Sequence, residues 1–407
     1  MELSQLDTSR KTPSTDQAWS WWPLLPLYPY GRRPTFVREI LPDRLWTLEQ
    51  MHGVWYVAVP IRMTVLKVGK ELMLYSPIAA TPEVVAVLRG LEERHGPIRT
   101  IVLATSSGLE HKVPLPALAR TFPDATVWIS KHQWSFPLQL PESWLGFPME
   151  RTRVLVEDGL PHADQLSWVP LGPLDLGLGT FLDVACLDRE TGALLVTDSL
   201  VSVPSTPPAL FDIDPTPLLF HAREKGSEPL IDTPSNREKG WKRIVLFANY
   251  FRPSCISVPS LPPLIADMFA RNCRNARSHF GFYPFRWSAD WEQEADVLFC
   301  GGPEQSPVRL APVLERLVFP RAQQCFLAWL QHLGAHPEIK WLISAHYHAP
   351  QSLSGEELVT YAHQLQQQEW APSAGPWQTL ASIDSTLMKF GLVKTDERQA
   401  LSGSASN

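Results

Sequence analysis

An alternation of apolar and polar positions begins early in the chain and predicts its first regular elements. TVLKV and ELMLYSP alternate on either side of Gly69-Lys70, a pattern that predicts a β-hairpin. Helical spacing follows in TPEVVAVLRGLEERHG, where Thr81 is placed to cap the helix, Pro82 stands at its first position and Gly96 ends it. We therefore expect two strands and then a helix.

Three later strands each end in a polar loop. IRTIVLA runs into TSSGLEHK (105–112), GALLVTD ends at Asp198, and KWLISAH ends at His346. In open α/β sheets, ligands bind at the carboxyl ends of the strands. The polar side chains of these loops are therefore candidates for one site, and they are Glu110, His111, Asp198 and His346.

A region of different composition, rich in proline, arginine and tryptophan, separates the last two of these strands. Its segment NREKGWKRIVLFANYF predicts an amphipathic covering helix, with Trp241 and Val245 on the apolar side and Arg243 among the polar positions. Arg271, Arg274 and Arg277 recur every third residue, which fits a solvated helix face or an anion-binding stripe.

Composition narrows the class of protein. The net charge of -6 argues against a nucleic-acid partner, and no apolar stretch approaches the length that spans a bilayer. The N-terminal residues lack the apolar core of a signal peptide. The five cysteines form no C-x-x-C pair, which favours a reducing compartment such as the cytosol.

The four candidate residues also have the chemistry of a metal site. Two carboxylates and two neutral imidazoles suit one divalent ion such as zinc, iron or manganese. His348 is an alternative to His346, and Glu110 has the alternative of pairing with Lys112. A hydrogen-bonded polar cluster without metal is the other interpretation of the same residues.

The order of these strands and loops resembles the metallo-β-lactamase fold, whose first loop has the pattern H-x-H-x-D-H. Glu110 falls on the aspartate and His111 on the last histidine, whereas Ser106 and Gly108 replace the two leading histidines. PLGPLDLGLG offers no histidine for the remaining ligand of the first metal. The resemblance implies that Asp198 and His346 complete a second-metal site and that the first has been lost.

MTVLKV, YSPIAATPE, GLEHK, QWSFPL, VTDSLVSVP and NREKGW are similar to an uncharacterised branch of this fold, a domain of unknown function in cyanobacteria and plant plastids. The similarity implies a location in the cyanobacterial cytosol or the plastid stroma. It also implies an α/β fold, a metallo-β-lactamase-like αβ/βα sandwich with a large insertion and a proline-rich, aromatic N-terminal arm. The expected divisions are a disordered tail and arm at 1–45, sandwich halves at 46–203 and 311–407 with C-terminal helices, and the insertion at 204–310.

Two functions are compatible with these residues and with the resemblance. The first is a hydrolase with one metal, which uses a water on that metal to attack esters, thioesters or lactones; no residue is assigned as catalytic. The second is a non-catalytic binding or assembly protein that uses its aromatic arm and its insertion to contact a protein partner or the surface of a photosynthetic membrane. The substrate is an unidentified small molecule in the first case.

Overall fold

The structure is a computed structural model that describes residues 27–28, 33–134, 141–177, 179–270, 275–299 and 308–395. The strands are, in chain order, β1 (Leu27–Tyr28), β2 (Phe36–Leu41), β3 (Leu45–Val54), β4 (Val57–Val68), β5 (Glu71–Tyr75), β6 (Ile98–Leu103), β7 (Thr126–Ile129), β8 (Thr152–Val154), β9 (Leu166–Asp175), β10 (Thr180–Asp188), β11 (Ala193–Val196), β12 (Leu200–Val201), β13 (Ile256–Ser257), β14 (Arg286–Trp287), β15 (Arg309–Leu310), β16 (Trp341–Ser344) and β17 (Gln351–Ser352).

Two sheets form the body of the molecule. The first has eight strands in the order β1-β3-β4-β5-β6-β7-β8, with β2 also paired to β3. Its strands pair antiparallel from β2 to β5 and parallel from β5 to β8. The second sheet has the order β17-β16-β11-β10-β9, in which β11 and β16 are parallel.

Helices cover the outer faces of the sheets and also form a layer on β3 and β4. They are, in chain order, α1 (Pro82–His95), α2 (Leu109–Lys112), α3 (Leu115–Thr121), α4 (Thr216–His221), α5 (Pro234–Tyr250), α6 (Leu261–Met268), α7 (Trp291–Phe299), α8 (Pro312–Leu317), α9 (Gln323–Gly334), α10 (Gly355–Gln367) and α11 (Gln378–Lys389). Helices α1 and α3 pack on the first sheet, and α9 and α10 pack on the second.

The layers between the two helical faces close around one apolar core. Side chains of both sheets fill the space between them, among them Leu66, Tyr75 and Val102 from the first sheet and Val184, Leu195 and Ile343 from the second. The order helix, sheet, sheet, helix is the αβ/βα sandwich that the sequence predicted. The hairpin at Gly69-Lys70 and the helix capped by Thr81 are confirmed as well.

The region predicted as an insertion packs as a helical layer on β3 and β4. The helix predicted from NREKGWKRIVLFANYF is α5, and Trp241 and Val245 are buried as expected. The placement of Arg243 among solvated positions is wrong, because its side chain is only 1% exposed and pairs with Glu224. Its guanidinium lies over two tryptophan rings, which cover the apolar faces of the group.

Several predicted features lie outside the described residues. They include the N-terminal tail, most of the aromatic arm, and Arg271 and Arg274 of the arginine repeat. Arg277 is described, and its guanidinium donates to Thr216 Oγ1 and lies 3.6 Å from Asp214. The predicted domain boundaries remain a prediction.

Candidate metal centre

Three loops bring the four predicted residues to one edge of the sandwich. Glu110 and His111 lie on the short helix α2, Asp198 lies two residues after β11, and His346 lies two residues after β16. The last residues of β11 and β16 are partners in a parallel pair, so the two following loops leave the sheet side by side.

The loop between β6 and α2 is fastened to the second sheet. Thr105 forms a β-bridge with Asp183 of β10. Ser106 Oγ accepts a hydrogen bond from Leu182 N at 2.9 Å and donates to Thr180 O at 3.1 Å. Because of these bonds, helix α2, which follows a strand of the first sheet, lies over the end of the second sheet. The Ser106 hydroxyl is used to bond the backbone of β10.

Candidate ligand atoms of Glu110, His111 and His346 all lie within 4.8 Å of one another. The His111 and His346 rings meet edge to face, with centroids 5.5 Å apart. Asp198 reaches the same group through His346, whose Nε2 lies 3.2 Å from Asp198 Oδ1. The structure therefore brings all four predicted residues together, and their role as metal ligands remains a prediction.

His111 is fixed with one nitrogen facing this group. The ring is fully buried, and Nδ1 lies 2.9 Å from the Pro77 carbonyl oxygen. A carbonyl only accepts, so Nδ1 carries the proton and Nε2 offers a lone pair. Burial lowers the pKa of His111, and among the described residues its buried Nε2 has no hydrogen-bond partner. That arrangement is the one a metal-binding imidazole requires.

His346 lies between two carboxylates. Its Nε2 is 3.4 Å from Glu110 Oε1 as well as 3.2 Å from Asp198 Oδ1. Burial lowers the pKa of His346, but hydrogen bonds and charges from the two acids outweigh that effect and raise it to about 10. Without metal, the imidazole is therefore protonated at neutral pH and bridges the carboxylates as a cation.

The two carboxylates show the reciprocal effect. Burial raises the pKa of Glu110, yet the hydrogen bond and charge of His346 bring that pKa well below its ordinary value. The pKa of Asp198 is lowered in the same way. Both groups are anionic at neutral pH, as ligands of a divalent cation need to be.

The second oxygen of Asp198 is held by two hydroxyl groups. Thr105 Oγ1 donates to Asp198 Oδ2 at 2.7 Å, and Ser107 Oγ donates to the same atom. These bonds leave Oδ1 directed at His346. Ser107 therefore orients a candidate ligand.

Asp183 supports the centre by bonding the backbone at Asp198, and the sequence patterns did not predict this role. Its Oδ2 accepts from Asp198 N at 3.0 Å, Ser199 N at 2.9 Å and Ser199 Oγ at 2.8 Å. Burial and the nearby charge of Asp198 raise the pKa of Asp183 to about 6. An acid within the apolar strand TFLDVACLD was the signal for it.

A buried ion network, also not predicted, holds the His346 loop. Arg62, 1% exposed, donates to the carbonyl oxygens of Ser344 and Tyr347 on either side of His346. Glu49 pairs with Arg62 at 3.0 Å and also pairs with Arg38. A β-bridge joins Ile61 and His346, so β4 and its arginine set the position of the loop.

The sequence left open two alternatives, a pair of Glu110 with Lys112 and His348 in place of His346, and the contacts in the structure match neither. Lys112 Nζ donates to the carbonyl oxygens of Ser106 and Gln133, while Glu110 is directed to His346. Burial lowers the pKa of Lys112 to about 8. His348 is exposed and lies outside the group of convergent ligand atoms.

The positions of the lost first-metal ligands have other roles. The Ser106 hydroxyl bonds to backbone groups. The backbone of Gly108 has a φ of 67°, in the left-handed region that residues with a side chain rarely adopt. His162, the histidine nearest in the sequence to PLGPLDLGLG, bonds to Thr100 Oγ1 at 3.0 Å. A separate cavity of about 430 Å³ is lined by residues that include His132 and Trp134.

A family model matches residues 42–363, well over half of the sequence, and its description is "Domain of unknown function (DUF4336)". The chain belongs to the DUF4336 family. A comparison with curated proteins found no match. Among the described residues of this DUF4336 protein, no helix is both long enough and apolar enough to cross a bilayer.

Solved metallo-β-lactamases show a distant likeness to this DUF4336 protein. One from Hirschia baltica is 10% identical, covers 44% of this chain and 78% of its own, and has a TM-score of 0.30. FIM-1 from Pseudomonas aeruginosa in the mono-zinc form is 12% identical, covers 53% and 81%, and scores 0.27. One from Pontibacter korlensis is 10% identical, covers 53% and 85%, and scores 0.28. The assignment of the fold of the DUF4336 protein therefore rests on its own sheet order.

Proposed function

We propose that Glu110, His111, Asp198 and His346 hold one divalent metal and that the protein is a hydrolase of esters, thioesters or lactones. The observation that carries this proposal is the buried Nε2 of His111. It has no partner among the described residues, and it lies with the candidate ligand atoms of Glu110 and His346. A buried polar atom without a partner is costly, so a bound ligand accounts for it best.

The donor set fits zinc, iron or manganese. Two imidazole nitrogens and two carboxylates are ligand types that these ions share. The supporting contacts fit as well, because Pro77 fixes the tautomer of His111 and two hydroxyls orient Asp198. For a metal to bind, His346 has to give up the proton that it holds between the carboxylates.

A bound divalent ion supplies Lewis acidity toward water and toward a carbonyl oxygen. The two carboxylates reduce the charge that the ion presents, which favours activated acyl groups over amides as substrates. Glu110 has 20% of its side chain exposed and is the carboxylate that a substrate or water reaches. His111 and Asp198 remain held by their buried partners during the reaction.

The proposed location is the cytosol or plastid stroma that the sequence resemblance implies. A mild acidic net charge and five cysteines without a C-x-x-C pair support a reducing compartment. The proposal includes an origin in cyanobacteria or plastids. Fractionation of cells that express the full chain tests the location.

Metal content of the purified full chain tests the enzyme proposal. After growth with zinc, iron and manganese, elemental mass spectrometry is expected to find about one metal per chain. The double variant His111→Ala, Asp198→Ala is expected to lose it. His221→Phe is the matched control, since His221 is also fully buried but lies in the helical layer on β3 and β4. A metal-free wild type, or a double variant that keeps its metal, contradicts the proposal.

The second candidate is a non-catalytic binding or assembly protein. It is favoured by the contacts of His346, because the protonated ring already satisfies both carboxylates in the absence of a metal. This candidate predicts a wild type without metal and with a melting temperature that zinc leaves unchanged. The enzyme proposal predicts a melting temperature that rises with zinc concentration.

A further inference from the structure

Near the end of strand β3, the charge of an arginine, Arg33, acts on an imidazole, that of His52. The antiparallel pairing of β2 with β3 continues beyond the first residue of β2, because Gln50 Nε2 donates to Thr35 Oγ1 at 3.2 Å. Extending the same register by two residues places Arg33 beside His52.

The contacts of a strand neighbour point to a place for His52 near the metal centre. On β3 it shares a face with Gln50, which also donates to Ala79 O at 3.2 Å. Ala79 belongs to the loop whose Pro77 carbonyl holds His111. The charges that act on the pKa of His52 are those of Glu110, Arg33, His111 and His346, which fits this position.

Both residues carry a buried polar atom with an unused hydrogen-bonding capacity. Among the described residues, Arg33 Nε and His52 Nδ1 have no hydrogen-bond partner. Burial lowers the pKa of His52 to about 4, so the ring is neutral at pH 7. Arginine stays charged at that pH and offers donors in a planar fork. Two buried unsatisfied atoms near a candidate reaction centre indicate a ligand.

The charge balance favours an anion as that ligand. Once a divalent ion replaces the proton of His346, its charge is balanced by Glu110 and Asp198. Arg33 then adds a positive charge that no acidic group of the centre neutralises. A second cation is disfavoured at this place, whereas a carboxylate or phosphate group is attracted.

We propose that Arg33 and His52 form a subsite that binds an oxyanionic group, a carboxylate or a phosphate, on the substrate of the metal centre. The substrate part of this inference rests on the proposed function. The charge argument rests on it too, whereas the unpartnered buried atoms of Arg33 and His52 do not, because neither residue is a proposed metal ligand. The expected substrate is an ester, thioester or lactone with an acidic group near the scissile bond.

Isothermal titration calorimetry with inorganic phosphate, and separately with acetate, tests the subsite on the full chain. Each titration is made before and after removal of metal with a chelator. The wild type is expected to bind one of the two anions, and which one identifies the group. Arg33→Met is expected to bind at least about tenfold more weakly, as for loss of a charge-assisted hydrogen bond. Arg99→Met is the control, because Arg99 is 44% exposed and lies in β6.

Two further variants guard against misfolding. Arg33→Lys keeps the charge but not the fork and is expected to weaken binding less than Arg33→Met. His52→Phe keeps the ring volume and is expected to weaken binding by a few-fold. Equal anion affinity in the wild type and in Arg33→Met overturns the subsite, as does a wild type that binds neither anion. A wild type that carries no metal after growth with zinc, iron and manganese, yet binds phosphate through Arg33, contradicts the metal proposal and supports the subsite.

Discussion

Two buried histidines lie in opposite environments in this molecule. His346, at the metal centre, lies between two carboxylates, and its pKa is raised to about 10. His221, in the helical layer on β3 and β4, is surrounded by aromatic rings and by the charges of Arg243 and Arg223. Burial and these arginines lower the pKa of His221 to about 3, against a bond from its Nε2 to Trp55 O that raises it.

The difference separates a packing histidine from a candidate ligand. Burial beside positive charges produces a neutral ring that fills space, as at His221. Paired carboxylates at the end of parallel strands produce a cation site that holds a proton or a metal. The same comparison explains why His111, neutral and unpartnered at Nε2 among the described residues, belongs with His346 and not with His221.

Removing the arginine behind His346 is expected to have the largest effect. Arg62→Met leaves Glu49 with only Arg38 and frees the two carbonyls around His346. We expect a loss of about 3–5 kcal/mol in unfolding free energy. We also expect zinc affinity, measured by chelator competition, to fall by about 10- to 100-fold.

Arg316→Met provides the matched control for that experiment. Arg316 is buried and shares Asp384 with Arg321, so it has the same arginine-carboxylate-arginine arrangement far from the metal centre. It is expected to lose similar stability and to keep its zinc affinity. If the two variants lose zinc affinity equally, Arg62 has no positioning role.

Replacing one carboxylate tests the origin of the His346 environment. In Asp198→Asn, the metal-free pKa of His346 is expected to fall by about 1–3 pH units toward its ordinary value. Nuclear magnetic resonance titration of the imidazole measures this change. His221 should titrate as in the wild type. A His346 pKa that stays near 10 in the variant contradicts the assigned cause.

The two histidines are expected to limit stability at opposite ends of the pH scale. His221 has a folded pKa below its unfolded value of 6.5, so its contribution is complete above pH 6.5 and is lost toward pH 3. His346 has a raised folded pKa, so its contribution in the metal-free chain is complete below pH 6.5 and is lost toward pH 10.

His221→Phe separates these effects in denaturant unfolding. The variant is expected to lose less stability than the wild type between pH 6.5 and pH 4, by on the order of 2 kcal/mol. Above pH 6.5, the stability of the variant should depend on pH as that of the wild type does. If the two proteins also lose equal stability between pH 6.5 and pH 4, His221 is not a buried neutral ring.

The smallest predicted effect concerns the hydroxyl that orients Asp198. Ser107→Ala removes one of two donors to Oδ2 and leaves Thr105 in place. Zinc affinity is expected to fall about tenfold, at the low end for such supporting contacts. Thr121→Val serves as the control, since its hydroxyl donates within helix α3. Equal affinities in all three proteins contradict the role of Ser107.

Local signals in the sequence were enough to predict elements whose determinants are neighbours. The Thr81 side chain accepts from Val84 N, three residues away, and the turn at Gly69-Lys70 joins strands next to each other in the chain. The four candidate ligands could be predicted because each stands where a strand ends. The placement of Arg243 failed because its partners, Glu224 and two tryptophans, come from other segments.

The supporting groups of the centre could not be predicted in the same way. Arg62 and Ser344 are 282 positions apart, and Asp183 meets Asp198 only after β10 and β11 have paired. In the sequence, these residues appear as single charges within apolar strands. Such a charge signals a buried partner but does not say which one.

Anomalous diffraction from crystals of the zinc-loaded full chain, recorded at the zinc absorption edge, shows directly whether the four residues hold a metal. We expect one peak, bonded to His111 Nε2 and His346 Nε2 and to the carboxylates of Glu110 and Asp198. A peak at another place, or no peak there while His346 still bridges the two acids, would refute the metal centre.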